Sequence, residues 1–239
     1  MSKLKSWPND LSTLQRLSVA KERLERLKDH LSFALAARES NVQLLSARIR
    51  MQIPKSRAAN CYNTLLISQL RHEVICLTAM WDSAGTDLNS IPALLMLLND
   101  AKVEKEIVAR AEAQYGHSAD NSDISAYIDQ RRKEEKQRSM GSLKELKILA
   151  GTFPKNARFK KVIDFRNETI AHILSKANSK ISINNIPKTK GFWDITMKCV
   201  SLLDYLISNK SMDWNGTEKI HRRNAHLFWK SVKFNLKNE

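Results

Sequence analysis

The sequence predicts an all-α protein, a bundle of about six to eight helices. Three observations point there. Glycine (6) and proline (5) are scarce among 239 residues, which leaves few of the turns a β architecture needs. Apolar residues recur at three-, four- and seven-residue steps along much of the chain. No stretch reads convincingly as a strand, and no internal repeat is visible.

The elements follow in order. After Pro8, Asn9 and Asp10 suit a helix N-cap. Leu11, Leu14, Leu17, Leu24, Leu27, Leu31 and Leu35 then form one apolar stripe, with Lys21, Glu22, Glu25, Arg26 and Lys28 on the other face. The pattern runs to about Gln52 with a break expected near Ser40–Asn41, and Pro54 stops it. A second helix is expected from Ser56 to Trp81, apolar over most of its circumference and therefore central. Arg71, His72 and Glu73 interrupt it, with His72 read as a satisfied, partly buried histidine. Ser83–Asn89 is a turn, Ser90 caps the next helix, and Pro92 fits its first turn. Ala93–Leu98 is short and buried; Lys102–Tyr115 is a polar helix closed by Gly116.

His117–Ser122 is a loop, after which Asp123 opens a long charged helix. The run Arg131–Arg138 reads as its solvated face, and Gly141–Ser142 as a break before Leu143–Leu149. Gly151–Pro154 make a turn. A helix from about Asn156 to Asn178 follows, with Lys155, Arg158, Lys160 and Lys161 at its start. Cations there oppose the helix dipole, a cost that contact with phosphate explains, so these four are candidate RNA-binding residues. Ser179–Gly191 is the longest expected loop, Phe192–Asn209 an apolar helix, and Thr217 the cap of a basic last helix. The expected organisation is a single domain over residues 1–239. It carries an N-terminal helical extension (about 1–23) and a basic C-terminal helix (about 217–239).

Charge narrows the function. The net charge is +15 and the pI near 9.8, a field that attracts polyanions. With 42% hydrophobic and 27% charged residues the chain reads as globular. Cys61, Cys76 and Cys199 form no C-x-x-C pair, so reduced, buried thiols in a cytoplasmic protein are expected, with no disulfide framework. No apolar signal core opens the chain, and no run approaches the roughly 20 residues of a membrane span, so no membrane partner is expected. Phosphate loops, dinucleotide loops, zinc-protease helices and nucleophile elbows are all missing, and no carboxylate cluster suggests magnesium. Neither a metal nor a cofactor is expected.

The stretch Val162–Lys176 carries the chemistry. On an ideal helix Ile163, Ile170 and Leu174 fall within about 20° of one another and read as the core stripe. His172 then lies about 180° from Ile163, and Arg166 about 120° from His172 and roughly 9 Å along the axis. Glu168 and His172 are spaced to pair. Arg166 can stabilise a developing phosphorane, Asn167 can hold a phosphate oxygen or orient the histidine, and His172 can move a proton near neutral pH. The RNA 2′-hydroxyl is an internal nucleophile, so the protein need not supply one. One straight helix does not bring Arg166 and His172 together; a second copy facing it across a two-fold axis does.

The run F-R-N-E-T-I-A-H at Phe165–His172 resembles the signature of the HEPN superfamily (higher eukaryotes and prokaryotes nucleotide-binding). Its R-[ND]-x-x-x-A-H form is similar to the abortive-infection U-type branch. So are an apolar second helix ending in Trp81–Asp82, the S-I-P-A-L-L of Ser90–Leu95, and an apolar helix after a Pro-containing loop at Ile186–Ile207. The resemblance covers roughly Leu24 to Trp214. It implies a dimeric helical bundle acting as a metal-independent endoribonuclease in toxin–antitoxin or anti-phage systems. It also implies catalytic Arg166 and His172, a supporting Asn167, RNA as substrate, and a cognate antitoxin or defence-system partner. Leu174 stands where some such toxins carry a modified tyrosine, so that regulation is not implied here. Two other readings stay open: a non-catalytic module binding nucleic acid, nucleotide or protein, and a structural polar cluster of Arg166, Glu168 and His172.

Overall fold

Ser12 closes the open end of the first helix. Its hydroxyl accepts from the Gln15 backbone N–H (3.3 Å), and the Gln15 side chain accepts in return from the Ser12 N–H (2.8 Å), a reciprocal capping box. Asn9, expected as the cap, instead accepts from the buried Arg16 guanidinium at 3.3 Å.

The computed structural model describes residues 7–53, 57–86, 88–115, 122–174 and 188–234, without the side chains of 57–58, 122–124 and 169–174. The helices are α1 (Thr13–Leu44), α2 (Ala47–Arg50), α3 (Arg57–Ala79), α4 (Ile91–Leu98), α5 (Ala101–Ala113), α6 (Ser122–Thr152), α7 (Ala157–Leu174), α8 (Lys190–Ser208) and α9 (Trp214–Ser231). A 3-10 turn, Phe153–Lys155, joins α6 to α7. Among the described residues there is no strand, so the fold is all-α as the periodicity predicts. None of the described helices is long and apolar enough to cross a membrane. The expected closure at Gly116 and most of the loops His117–Ser122 and Ser179–Gly191 lie outside the described residues.

Several local expectations are corrected. The break after α1 comes at Leu45–Ser46, because Asn41 is helical and buried and donates to Glu73 (2.9 Å). Leu17, Leu24, Leu27, Leu31 and Leu35 are buried, but Leu14, in the first turn, is exposed. His72 is exposed, its ring edge-on to Phe33 at 6.0 Å. Cys61 is exposed, while Cys76 and Cys199 are buried; burial pushes the Cys199 thiol up to about 12. α6 runs through Gly141–Ser142 without a break. Ser139, Leu143 and Leu146 are buried on either side, and that packing outweighs glycine's low propensity. Asp213, not Thr217, caps α9, accepting from the Gly216 N–H at 2.9 Å.

The chain divides into two compact units. The first comprises Met1–Lys28, Trp81–Lys155 and Ile195–Met212. Ser90 caps α4 through the Ala93 N–H (3.3 Å), with Pro92 in the first turn. Asp100 caps α5 through the N–H groups of Lys102 (2.9 Å) and Val103 (3.2 Å). α5 lies antiparallel on α6, tied by Lys147–Glu104 (2.7 Å) and Lys136–Glu112 (3.0 Å). The run Arg131–Arg138 is not wholly solvated: Glu135 is buried and accepts from the Tyr205 hydroxyl. α8 ends at Asn209, whose φ of 52° is the left-handed conformation asparagine tolerates after a helix.

The second unit comprises Asp29–Met80, Asn156–Asp194 and Asp213–Glu239. Here α3 packs on α7. Leu44, Leu66 and Leu70 form an apolar cluster against which Tyr62 and Trp229 pack. α9 is held to α1 mainly by polar groups. Ser32 bonds His221 (3.2 Å), Glu39 pairs with Arg222 (3.0 Å), Arg38 with Glu218 (3.5 Å), and Trp229 donates to Ser40 (2.9 Å).

Candidate functional site

α7 starts where Asn156 turns its own groups onto the free N–H donors of the first turn. Its Oδ1 accepts from the Arg158 N–H (2.7 Å) and its carbonyl from the Lys160 N–H (3.0 Å). No acidic side chain occupies that first turn. Lys155, Arg158, Lys160 and Lys161 are all exposed, so four cations gather at the end of the helix that disfavours them.

The buried face of α7 differs from the expected one. Phe159, Val162 and Phe165 are buried, at steps of three, and Phe159 stacks at 4.9 Å on Phe192. Ile163, expected in the core stripe, is only half-buried, and the side chains of Ile170 and Leu174 lie outside the described residues. Aromatic rings reach further than isoleucine, and with α3 packed on α7 the phenylalanines take the interior.

That shift relocates the candidate residues. At 100° per residue Arg166 stands about 40° from Val162, and position 172 about 20° from Phe165. Arg166 therefore belongs to the packed half of the helix, whereas the expected placement of His172 opposite the core falls on a side chain outside the described residues. The half-buried Arg166 agrees. Arg166 and position 172 remain about 120° apart, with Val162 and Phe165 between them.

The Arg166 guanidinium lies against Asn167. Nε and Nη2 both donate to Asn167 Oδ1, each at 3.3 Å. Asn167 thus steadies the arginine, while its NH2 group lies on an exposed side chain. Glu168 is exposed; its expected pairing with His172 and the imidazole itself lie outside the described residues. Arg158, Lys161 and position 172 fall within about 60° of one another around α7, whereas Lys160 falls on the other side.

Sequence reasoning missed the group that organises this unit. Glu73 of α3 is buried and accepts from Asn41 (2.9 Å), Thr189 (3.0 Å) and the Trp193 indole (3.1 Å). It joins α1 and the start of α8 to the helix on which α7 packs. The signal was present: Glu73 falls three residues after Leu70 and four before Leu77 on the buried stripe, where a carboxylate needs partners. Among the described residues no three histidine, cysteine or acidic side chains gather as metal ligands do. Compared with family models, curated proteins and solved structures, the chain gives no match.

Proposed function

We propose that this chain is a metal-independent endoribonuclease of the HEPN kind, a cytoplasmic toxin or abortive-infection effector. Each active site is completed by Arg166 of one copy and His172 of a second. The observation that carries the reading is the R-N-x-x-x-x-H run placed on one continuous helix, with Arg166 held by Asn167. Supporting it are the net charge of +15 and the exposed cations Arg158 and Lys161 on the side of α7 that carries position 172. The roughly 120° between Arg166 and position 172 supports a two-chain site.

In this mechanism His172 takes the proton of the RNA 2′-hydroxyl, whose oxygen attacks the adjacent phosphorus. Arg166 bonds the non-bridging oxygens as the phosphorane forms, with a planar fork suited to two of them. The 5′-oxygen leaves and is protonated, and the product ends in a 2′,3′-cyclic phosphate. A cognate antitoxin or defence-system partner would restrain the activity in the cell.

The test is incubation of purified wild type and His172→Ala with total RNA in excess chelator, followed by end mapping. Wild type produces discrete cyclic-phosphate ends and His172→Ala none. Equal cleavage by a folded His172→Ala protein refutes the assignment. Binding of RNA by both, without cleavage, identifies a non-catalytic module instead.

A further inference from the structure

Within the first unit, α5 and α6 leave a groove between them of about 620 Å³. Two ion pairs bridge it, Glu104–Lys147 (2.7 Å) and Glu112–Lys136 (3.0 Å). At 1.5 Å per residue they stand about 12 Å apart along α5. Between them the lining is apolar, with Val108 from α5 and Met140, Leu143 and Ile148 from α6. Met140 and Ile148 are 55% and 52% exposed, so α5 covers only part of this side of α6.

The charges around the groove do not balance. Its two acids, Glu104 and Glu112, are already paired across it. Lys105 on one wall and Lys144 on the other are exposed, and neither has a carboxylate partner among the described residues. The antiparallel register that sets Glu104 against Lys147 brings Lys105 and Lys144 to nearly the same level. On α6, Lys144 falls between Met140 and Ile148, about 40° from each. An occupant of the groove therefore meets two cations astride an apolar floor.

We propose that this groove receives an amphipathic helix of an acidic protein partner. Apolar side chains seven residues apart on that helix, about 10.5 Å, match Met140 and Ile148, which stand about 12 Å apart on α6. A carboxylate on each flank of the helix pairs with Lys105 and with Lys144. Charge selects this occupant over the others. A second copy laid groove to groove would set Lys105 and Lys144 against the same two lysines, because a two-fold contact meets its own surface. No stretch of this chain outside the described residues carries more than one acid, so none supplies both carboxylates. The inference rests on α5 and α6 and does not depend on the nuclease reading.

The test starts with a displayed library of helical peptides offered to the whole protein. Apolar residues are fixed at i, i+3 and i+7, and the flanking positions are free to be Glu, Gln or Lys. Peptides with glutamate on both flanks should be enriched. In fluorescence anisotropy such a peptide should bind the double variant Lys105→Glu, Lys144→Glu about thirtyfold more weakly than wild type, and its lysine-flanked version should bind that variant instead. Met140→Gln with Ile148→Gln keeps both ion pairs and should weaken binding about tenfold, with the thermal midpoint unchanged. Lys219→Glu with Arg223→Glu makes an equal charge change at exposed positions of α9 and should alter affinity by no more than about twofold. An equal loss in this α9 control overturns the proposal, because net charge alone then explains binding. So does a selection that returns no binder, or binders without acidic flanks. A wild-type dimer in sedimentation that Met140→Gln with Ile148→Gln dissociates gives the groove to a second copy and overturns it as well.

Discussion

Arg166 places two donors on one oxygen of Asn167, both at 3.3 Å, and that arrangement separates two kinds of substitution. Arg166→Ala removes the charge itself, and RNA cleavage should fall below detection with the thermal midpoint nearly unchanged. Asn167→Ala leaves the charge and removes only its exposed brace. A hydrogen bond of this kind is worth about 1 kcal/mol, so initial cleavage rates should fall about fivefold. Glu73 behaves oppositely. It is buried and accepts from three side chains; Glu73→Ala takes that acceptor from Thr189 and the Trp193 indole, while Asn41 keeps its bond to the Gln69 carbonyl (3.3 Å). Urea unfolding should show a loss of about 3 kcal/mol. Arg166 could be singled out as a candidate in the sequence because the spacing of a short motif is a local fact. The stripe marks Glu73 as a carboxylate in need of partners, but not which ones, because they come from residues 32, 116 and 120 positions away. Ser12 lies between these cases: its capping box with Gln15 could be read from four residues, but Asn9 and Asp10 offered an equally plausible cap.

At the scale of the helix, existence was easier to read than register. The periodicity predicts about six to eight helices; the described residues hold eight of two turns or more, and most ends fall within a few residues of those expected. Which face of α7 is buried depended on α3 and on Phe192, so the expected Ile163 stripe gave way to Phe159, Val162 and Phe165. Gly141 is a similar case. Glycine reads locally as a stop, yet it sits inside α6 with open space where a Cβ would point. Gly141→Ala should therefore stabilise the protein by about 0.5–1 kcal/mol, seen as a higher urea midpoint at constant slope. Asp100 gives α5 a pH dependence. The N–H groups of Val103 and Lys102 hold its carboxyl below the usual carboxylate range, with Arg16 adding to the effect. Its contribution to stability is present at neutral pH and is lost as pH falls through that lowered value. The acid limb of the urea midpoint against pH should flatten in Asp100→Asn.

Over the whole chain, the charge of +15 was readable from composition, but its distribution was not. Folding neutralises Lys28 against Asp204, Lys147 against Glu104 and Arg222 against Glu39, and leaves Arg158, Lys161 and the outer face of α9 exposed. Lys28 shows the balance. Burial works to lower its pKa, but the bonds and charges of Glu25 and Asp204 prevail and raise it. The central claim concerns two copies of the chain: one α7 carries half a site, because its arginine and histidine positions stand about 120° apart. Mixing Arg166→Ala with His172→Ala protein, after exchange of subunits, tests that claim directly. A mixed dimer has one site with both residues intact and one with neither. The account predicts that two proteins inactive alone will together recover up to about a quarter of wild-type RNA cleavage, since about half the dimers are mixed. A mixture no more active than its parents, beside an active wild type, would contradict it.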